Sequence, residues 1–354
     1  MRPRVALIAA SSDIGGGQAV QASILVEELR RDGHPVTFMA INPRFPSRLR
    51  WLYSVPYGRT LVNEALYLSS LARLARADVA HIFSASYWSF LLAPMPAILA
   101  ARSLGKRTVL HYHSGEADDH LTRWGVLVHP WLRLVEAIVV PSDYLRTVFA
   151  RHGYRACVIP NVVDTSRFRY RERVPLRPRL FCNRSFEPHY RIGDILEAFV
   201  LLKASYPEAT LTLAGSGSED ARLRELAAAT EVDGIRFVGP VSPSAMPGLY
   251  DDADVFVNAS IVDNQPVSLL EAFAAGLPVV STATGDITGM VRDGDTGLLV
   301  PQRDPAALAK AVGALLENPD RALLMTRRAR HEVDGYTWPH VRERWASVYA
   351  GRTA

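Results

Sequence analysis

Short runs of apolar residues alternate along the whole chain with longer stretches in which apolar residues recur every three or four positions. The short runs are almost continuously apolar, which is typical of parallel strands buried on both faces. The longer stretches have the spacing of helices with one buried face. Strands are predicted at Val5–Ala10, Val36–Ile41, Val79–Phe83, Thr108–His111, Ala137–Val140, Cys157–Ile159, Leu180–Cys182, Thr210–Ala214, Ile235–Val238, Val255–Val257, Pro278–Ser281 and Gly297–Val300. Helices are predicted at Gln18–Arg31, Thr60–Arg76, Ala97–Leu104, Tyr144–Arg151, Asp194–Ala204, Glu219–Ala229, Met246–Asp252, Leu269–Ala275, Ala306–Glu317 and Arg321–Val333.

The alternation of strand and helix predicts an α/β fold, with parallel sheets covered by helices on both faces. The Arg-rich segment Thr165–Arg179 contains two prolines and follows neither period, so we predict that it joins two domains. The predicted domains are residues 1–165 and 166–335, facing each other across a cleft. Residues 336–354 are predicted to form a C-terminal helix that packs back on the first domain.

The composition is that of a globular chain, since 48% of its 354 residues are apolar and 21% are charged. Residues 1–164 carry a net charge of +6 and residues 165–354 carry −2, which favours an anionic ligand or an anionic membrane surface for the first half. Nucleic acid is not expected as a partner, because no dense Lys/Arg tract with interleaved aromatic residues occurs. Two cysteines, Cys157 and Cys182, are too few for a disulfide framework, and we predict a cytoplasmic protein.

Two apolar stretches imitate membrane signals. The first, Val5–Ala10, is six residues long and is soon followed by Asp13, so a buried strand is predicted rather than a signal peptide. The second, residues 82–101, carries no charge over 20 residues but contains Pro94 and Pro96. Strand, loop and buried helix are predicted there rather than a membrane span.

Three glycines, Gly15, Gly16 and Gly17, lie between the first strand and the first helix. Glycine there lets the backbone approach an anion, to which a helix N-terminus offers N–H groups. A tight strand-to-helix turn is the alternative. A dinucleotide-binding fingerprint would require glycine at the position of Val20, so the pattern does not favour a dehydrogenase.

Two histidines, His111 and His113, lie at the carboxyl end of a predicted strand. Ligands bind at this edge in open α/β sheets, and we predict that His113 forms a hydrogen bond to a ligand or polarises it. Residues at i and i+2 of a strand share one face, so a metal pair is an alternative, as is a structural histidine.

Arg184 follows the first strand of the second predicted domain, and Arg191 lies seven residues later. Two guanidinium groups at the edge of a cleft suit a diphosphate, to which they form charge-assisted and bidentate hydrogen bonds. The alternative is that both are surface arginines of an Arg-rich chain.

The segment 260–280 passes from a strand through a polar loop into a helix predicted to begin at Pro266. Asp263 precedes this helix, and Glu271 lies inside it, eight residues later. We expect both carboxylates to accept hydrogen bonds from sugar hydroxyls, with Glu271 on a ribose diol; an ordinary N-terminal cap is the alternative for Asp263. Backbone N–H groups expected to meet sugar or phosphate oxygens are those of Asn264, Gln265, Val267 and Ser268.

Two D-x-D pairs could in principle hold a divalent cation: Asp252 with Asp254, and Asp293 with Asp295. The first opens a buried strand and the second lies in a turn. We predict helix-end and turn carboxylates at both places, and no metal site.

These residues together resemble glycosyltransferase family 4, which has the GT-B fold of two Rossmann-like domains. The resemblance covers nearly the whole chain, and its order and spacing are specific although each piece alone is loose. Its motifs here are Gly15-Gly16 with Gly33-His34, His81, Ile159-Pro-Asn161-Val-Val-Asp164, Leu211 to Gly217, Phe237-Val-Gly239, and Asp263 to Val280.

The resemblance implies a retaining hexosyltransferase that uses a nucleotide-diphosphate sugar as co-substrate and requires no metal or other cofactor. It implies that Asp263 holds the donor sugar and Glu271 the nucleotide ribose, with His113 and Arg184 also catalytic. Gly15, Gly16 and Arg191 would bind the donor. The family's lysine after the position of Arg184 is absent here, and Arg191 supplies positive charge instead.

The acceptor is expected to be a glycan, a lipid-linked molecule or a small molecule, as in polysaccharide or glycolipid biosynthesis. Arginines interleaved with aromatic residues favour peripheral attachment to the inner face of a membrane, with a mobile acceptor-side loop as the alternative. The interleaved residues are Arg44, Phe45, Arg48, Arg50, Trp51, Leu52, Tyr53, Tyr57 and Arg59. Two other functions are left open: a non-catalytic nucleotide- or glycan-binding protein, and another GT-B enzyme such as a nucleotide-sugar epimerase.

Overall fold

The computed structural model describes residues 2–11, 17–48, 51, 55, 58–84 and 86–352. The chain divides into two compact units. Residues 1–162 together with 341–354 form the first unit, and residues 163–340 form the second. Each unit contains one sheet of six parallel strands, so the predicted α/β fold class is confirmed.

The sheet of the first unit has the strand order β2-β1-β3-β4-β5-β6. Its strands are β1 Val5–Ala9, β2 Val36–Ala40, β3 Val79–Ser84, β4 Arg107–Tyr112, β5 Ala137–Val140 and β6 Ala156–Val158. Its helices are α1 Gly17–Arg31, α2 Gly58–Ser70, α3 Trp88–Leu92, α4 Pro94–Ser103, α5 Ala117–Arg123, α6 Gly125–Leu132 and α7 Asp143–Arg151. The strands β1, β3 and β5 are buried along their whole length, because helices cover the sheet.

The sheet of the second unit has the strand order β12-β11-β10-β7-β8-β9. Its strands are β7 Arg179–Asn183, β8 Thr210–Ala214, β9 Ile235–Gly239, β10 Val255–Asn258, β11 Val279–Thr282 and β12 Leu298–Val300. Its helices are α8 Ile192–Lys203, α9 Asp220–Ala229, α10 Met246–Asp252, α11 Val267–Ala275, α12 Ile287–Met290, α13 Pro305–Glu317 and α14 Pro319–Val333. The neighbouring strands β7 and β10 both lead into the polar loops described below.

Each predicted strand is present, with its ends within one residue of the prediction. The predicted helix Thr60–Arg76 instead ends at Ser70 and continues as a 3-10 turn, Leu71–Arg76. The prediction that α11 begins at Pro266 is wrong. Pro266 has the extended ψ of 119° and caps the helix, which begins at Val267.

The uncharged stretch 82–101 is divided among β3, α3 and α4, as the prolines predict. In the described part of the chain, every helix is too short or too polar to cross a membrane.

The segment 165–179 lies wholly inside the second unit. Arg173 is buried there and donates to carbonyl oxygens of Tyr250 at 2.8 Å and Ala253 at 3.2 Å, and to that of Ala275. These carbonyls lie at or just past the ends of α10 and α11, where helices leave carbonyl groups without intrahelical partners. The segment therefore fixes two helices of the second unit rather than joining two domains.

The last helix, α15, spans Trp338–Tyr349, and the chain from residue 341 onward belongs to the first unit. Trp345 and Tyr349 are both buried. The hydroxyl of Tyr349 lies 2.8 Å from Nδ1 of His81 on β3, so the C-terminal helix contacts the sheet through a polar pair inside an apolar core.

Candidate active site

The polar loops after β7 and β10 bring four of the predicted site residues together in the second unit. Arg184 directly follows β7, Asp263 lies in the loop after β10, and Ser268 lies in the first turn of α11. Glu271 follows one turn further along α11. The carboxyl ends of adjacent parallel strands form the usual ligand-binding edge of an α/β sheet.

The guanidinium of Arg184 is enclosed on three sides. It forms an ion pair with Asp263, donates to Oγ of Ser268 at 3.3 Å, and lies over the ring of Tyr190 at 4.1 Å from the ring centroid. The side chains of Arg184 and Asp263 are only 9% and 10% exposed. The remaining guanidinium nitrogen, Nε of Arg184, is buried and has no hydrogen-bond partner among the described residues. A planar cation held in this way is preorganised for an oxyanion.

Two glycines allow the loops to come this close. A Cβ on Gly215 would lie 2.0 Å from the carbonyl oxygen of Arg184, and a Cβ on Gly285 would lie 1.9 Å from that of Asp263. Both glycines also have positive φ, of 145° and 50°. Side chains at these positions would displace the backbone that carries Arg184 and Asp263.

Glu271 is buried on α11, and its Oε2 accepts a hydrogen bond of 2.8 Å from the hydroxyl of Tyr250. Burial raises the pKa of Glu271 to about 7, although the hydrogen bond from Tyr250 opposes that rise. Burial alone disfavours a carboxylate, so this group gains from any ligand that offers it hydroxyl donors.

Asn264, Gln265 and Val267 follow Asp263 in the chain, and all three are buried. The N–H of Asn264 donates to Oδ1 of Asp263 at 3.0 Å, which fixes the carboxylate within its own loop. The amide of Gln265 lies 3.5 Å from Asp286. The contacts predicted between these residues and a sugar or a phosphate remain predictions.

Arg191 is not part of this cluster of contacts. It has a left-handed backbone, with φ of 52°, and caps the N-terminus of α8. Its guanidinium forms hydrogen bonds of 2.6 and 3.0 Å with Asp194. Its guanidinium thus contacts the start of its own helix and not Asp263 or Ser268, and its predicted contact with a diphosphate remains a prediction.

His113 lies in the first unit, just after β4. Its ring stacks on Phe83 at a centroid distance of 5.0 Å, and His111 packs against it at 4.0 Å. Burial lowers the pKa of His113 to about 3, so the ring is neutral at physiological pH. Its Nε2 is buried and has no hydrogen-bond partner among the described residues.

Gly15 and Gly16 lie outside the described residues. Of the predicted anion-binding glycines the structure describes Gly17, the first residue of α1.

The described residues contain no group of three or more metal-ligating side chains. One aspartate of each D-x-D pair forms an ion pair with an arginine. Asp254 is buried 3.5 Å from Arg171, and Asp295 is 2.7 Å from Arg292. These contacts agree with the predicted role of helix-end and turn carboxylates.

Three groups that shape the site were not predicted from the sequence: Tyr250, which contacts Glu271, Tyr190, which lies over Arg184, and Asn183, whose amide lies 3.4 Å from the Tyr250 hydroxyl. Asn183 could have been found, because it directly precedes Arg184 in the sequence; Tyr190 lies six residues after Arg184 in the same loop region. Tyr250 precedes Glu271 by 21 residues and carries no local signal.

Known proteins share this architecture. HepE of Anabaena, solved in complex with UDP-glucose, superposes with a TM-score of 0.78, at 16% identity over 98% of this chain and 99% of its own. The glycogen synthase of Mycobacterium tuberculosis (strain ATCC 25618 / H37Rv) is 30% identical over 319 residues, 84% of this chain and 75% of that relative. A phosphatidyl-myo-inositol mannosyltransferase of Mycobacterium leprae (strain TN) is 28% identical over 357 residues, 96% and 94% of the two chains.

The fold and its relatives define a glycosyltransferase with the GT-B fold. Residues 168–332 match the family described as glycosyl transferases group 1, and residues 15–167 match glycosyltransferase family 4. The chain belongs to the family 4 glycosyltransferases.

Proposed function

We propose that the protein transfers a sugar from a nucleoside-diphosphate sugar to an acceptor hydroxyl, with retention of anomeric configuration. The observation that carries the proposal is the enclosed Arg184, whose buried Nε lacks a partner among the described residues, beside a helix that presents Glu271. Arg184 supplies a fixed cation for a diphosphate, and Glu271 supplies a carboxylate for a ribose diol. Asp263, which fixes Arg184, also lies where the family resemblance expects the donor sugar.

In this mechanism the bond between the anomeric carbon and the diphosphate oxygen breaks as the acceptor oxygen bonds to the same face of that carbon. The acceptor proton passes to the departing phosphate oxygen. Arg184 and the N-terminal N–H groups of α11 stabilise the negative charge that develops on the leaving group. A neutral His113 suits the predicted contact with the donor sugar, because a cation there would oppose positive charge at the anomeric carbon.

We further propose that no metal ion takes part, because arginine and helix-end N–H groups supply the positive charge that a diphosphate needs. The pairing of Asp254 and Asp295 with arginines supports this proposal. Activity that disappears in excess EDTA and returns with Mg²⁺ or Mn²⁺ would contradict it.

The proposed role of Glu271 predicts how nucleotide affinity depends on pH. With a pKa of about 7, Glu271 is mostly protonated at pH 6 and mostly ionised at pH 8. If the ribose diol binds the carboxylate form, affinity rises about tenfold between these two values. Calorimetric titration of UDP, GDP and ADP at both pH values measures this rise in affinity. Glu271→Gln is the control and should keep only the smaller dependence that comes from the terminal phosphate of the nucleotide. Flat affinity in the wild-type protein would contradict the assignment of Glu271.

The same titrations, together with assays of turnover and donor consumption, distinguish the other functions left open. Nucleotide binding without turnover across a broad panel of acceptors would favour a non-catalytic binding protein. Consumption of the donor in the absence of any acceptor would favour an epimerase or another GT-B enzyme.

We propose a lipid-linked acceptor reached by peripheral attachment to an anionic membrane. The first unit exposes Arg44, Arg48 and Arg59 together with Trp51, which is 65% exposed. The relative from M. leprae is named for a phosphatidyl-myo-inositol substrate. Phe45, predicted to belong to this surface, is buried, which is a correction; Arg50, Leu52, Tyr53 and Tyr57 lie outside the described residues.

Co-sedimentation with phosphatidylglycerol vesicles tests the membrane proposal. We expect binding at low salt that weakens at high salt, because the attraction to anionic lipid is screened. Trp51→Ala should weaken binding severalfold, whereas Trp88→Ala, a tryptophan that is 66% exposed, should not. An equal loss of vesicle binding in both variants, or no vesicle binding of the wild-type protein at low salt, would refute the proposal that this surface contacts the membrane.

A further inference from the structure

Tyr250 on α10 lies fully buried at the centre of the second unit. Its ring packs against Phe181 at 4.9 Å, Phe168 at 5.4 Å and Phe256 at 6.0 Å between centroids. Such packing needs only a phenylalanine. The hydroxyl therefore has to be explained by its polar contacts, since a buried hydroxyl is unfavourable unless it is hydrogen-bonded.

The single hydroxyl proton of Tyr250 has two acceptors within reach. Oε2 of Glu271 lies at 2.8 Å, and the carbonyl oxygen of Ser268 lies at 3.1 Å. The amide of Asn183 approaches the hydroxyl oxygen at 3.4 Å and acts as a donor to it. A tyrosine hydroxyl donates one hydrogen bond, so it cannot serve both acceptors fully at once.

The charge of Glu271 determines which acceptor receives the proton. An ionised Glu271 only accepts, and a charge-assisted hydrogen bond from Tyr250 is then the stronger choice. A protonated Glu271 can itself donate to the tyrosine oxygen, which releases the Tyr250 proton to the Ser268 carbonyl. Ser268 also accepts from Arg184 through its Oγ, so the Tyr250 hydroxyl lies between the two halves of the proposed donor site.

The other groups that act on this pair do not titrate near neutral pH. Arg167, on the 3-10 turn Thr165–Arg167, and Arg184 are cations. Cys182 on β7 is neutral, because burial raises its pKa to about 12. Burial also raises the pKa of Tyr250 well above its usual value. Among these five residues, Glu271 is thus the one that changes charge between about pH 5 and 9.

We propose that Tyr250 is a positioning residue for Glu271, whose hydroxyl proton holds the ionised carboxylate ready to accept hydrogen bonds from the ribose diol. This inference rests on the proposed function, because it assumes that Glu271 binds the nucleotide. It adds that donor binding, which favours the ionised carboxylate, shifts the hydrogen bond of the Tyr250 hydroxyl from the Ser268 carbonyl to Glu271. The proton stays on Tyr250.

The test is Tyr250→Phe, which keeps the ring and removes the proton. Affinity for UDP, GDP and ADP is measured by calorimetry from pH 5.5 to 9. We expect the midpoint of the affinity profile to rise by about one pH unit, a tenfold loss in the ionised fraction near pH 6. At pH 9 affinity should return to within about twofold of wild type, because Glu271 is then ionised in both proteins. Tyr336→Phe, in the same unit, is the matched control and should leave the midpoint unchanged.

The Glu271→Gln background separates positioning from packing. There, Tyr250→Phe should change affinity less than about twofold at every pH, because no carboxylate remains to be held. An affinity loss that is equal at all pH values, or one that persists in Glu271→Gln, would show a structural role and overturn the proposal. An unchanged profile would overturn it as well.

A measurement without nucleotide distinguishes this inference from the proposed function. The side-chain carboxyl carbon of Glu271 is titrated by ¹³C NMR in wild-type and Tyr250→Phe protein. A higher midpoint in the variant supports the hydrogen bond from Tyr250, and an equal midpoint refutes it. If no nucleotide binds wild-type protein at any pH, the proposed ribose site is wrong. The proposal that Tyr250 positions Glu271 for a ribose diol is then wrong as well, whatever the NMR titration shows about their hydrogen bond.

Discussion

Replacing Arg184 with alanine should reduce kcat/KM about 100- to 1,000-fold, equivalent to about 3–4 kcal/mol of transition-state stabilisation. The substitution removes the cation proposed to face the leaving diphosphate. It also leaves the carboxylate of Asp263, only 10% exposed, without its ionic partner and next to the site proposed for the diphosphate. The variant therefore loses the attraction between Arg184 and the diphosphate and gains a repulsion between Asp263 and the diphosphate. Steady-state kinetics with the donor sugar that proves active measures the effect.

Two further variants serve as controls for the loss of activity in Arg184→Ala. Arg191→Ala should change kcat/KM only a few-fold, because the Arg191 side chain is 39% exposed and contacts Asp194 at the start of α8 rather than the cluster around Arg184. Arg184→Lys should recover part of the activity, since it restores the charge but not the planar group that lies over Tyr190. If Arg184→Ala retained turnover within threefold of wild type, the assignment of the leaving-group site would be wrong.

A double variant shows whether the unpaired carboxylate destabilises the fold. Arg184→Ala alone buries an unpaired carboxylate, which destabilises a protein by several kcal/mol. Adding Asp263→Asn removes that charge, and we expect the melting temperature to recover; turnover stays low because Asp263 is itself proposed to hold the donor sugar. Recovery of turnover in the double variant would show that Arg184 acts mainly on stability.

The strands were predictable because a buried parallel strand leaves little choice of residue type. The strand β5, Ala137–Val140, is buried without exception and is continuously apolar, so its sequence alone indicates its place in the sheet. The short helices α3, α5 and α6 were not predicted. They span five to eight residues, and α6 contains Pro130 in its interior, so no helical period is long enough to recognise.

The site was predictable to the extent that it depends on strand ends. Arg184 and Asp263 follow neighbouring strands, so topology alone brings them to one edge. Their partners depend on tertiary packing. Tyr250 reaches Glu271 from a different helix, and the arginine expected to act beside Arg184 turns instead to Asp194. The first contact joins two helices and has no local signal, whereas the second is an i, i+3 pair at the start of α8 that the spacing could have indicated.

A methyl group at Gly285 is expected to disrupt the Asp263 loop. The added Cβ would lie 1.9 Å from the carbonyl oxygen of Asp263, a backbone atom that no side-chain rotation can move. The φ of 50° adds the strain of a left-handed conformation, which alanine adopts unfavourably. We expect Gly285→Ala to lower the free energy of unfolding by about 2–4 kcal/mol, since relieving such an overlap requires backbone shifts.

Gly313→Ala is the matched control for this change. Gly313 lies inside α13, and apart from its chain neighbours and the helix backbone no atom lies within 4 Å of the added Cβ, so alanine there should stabilise the protein by up to about 1 kcal/mol through helix propensity. Thermal melts should therefore separate the two variants in opposite directions, with Gly285→Ala also losing nucleotide affinity because Asp263 no longer fixes Arg184. Melting temperatures of the two variants within about 1 °C of each other would mean that the close approach of Gly285 to Asp263 does not hold the loop.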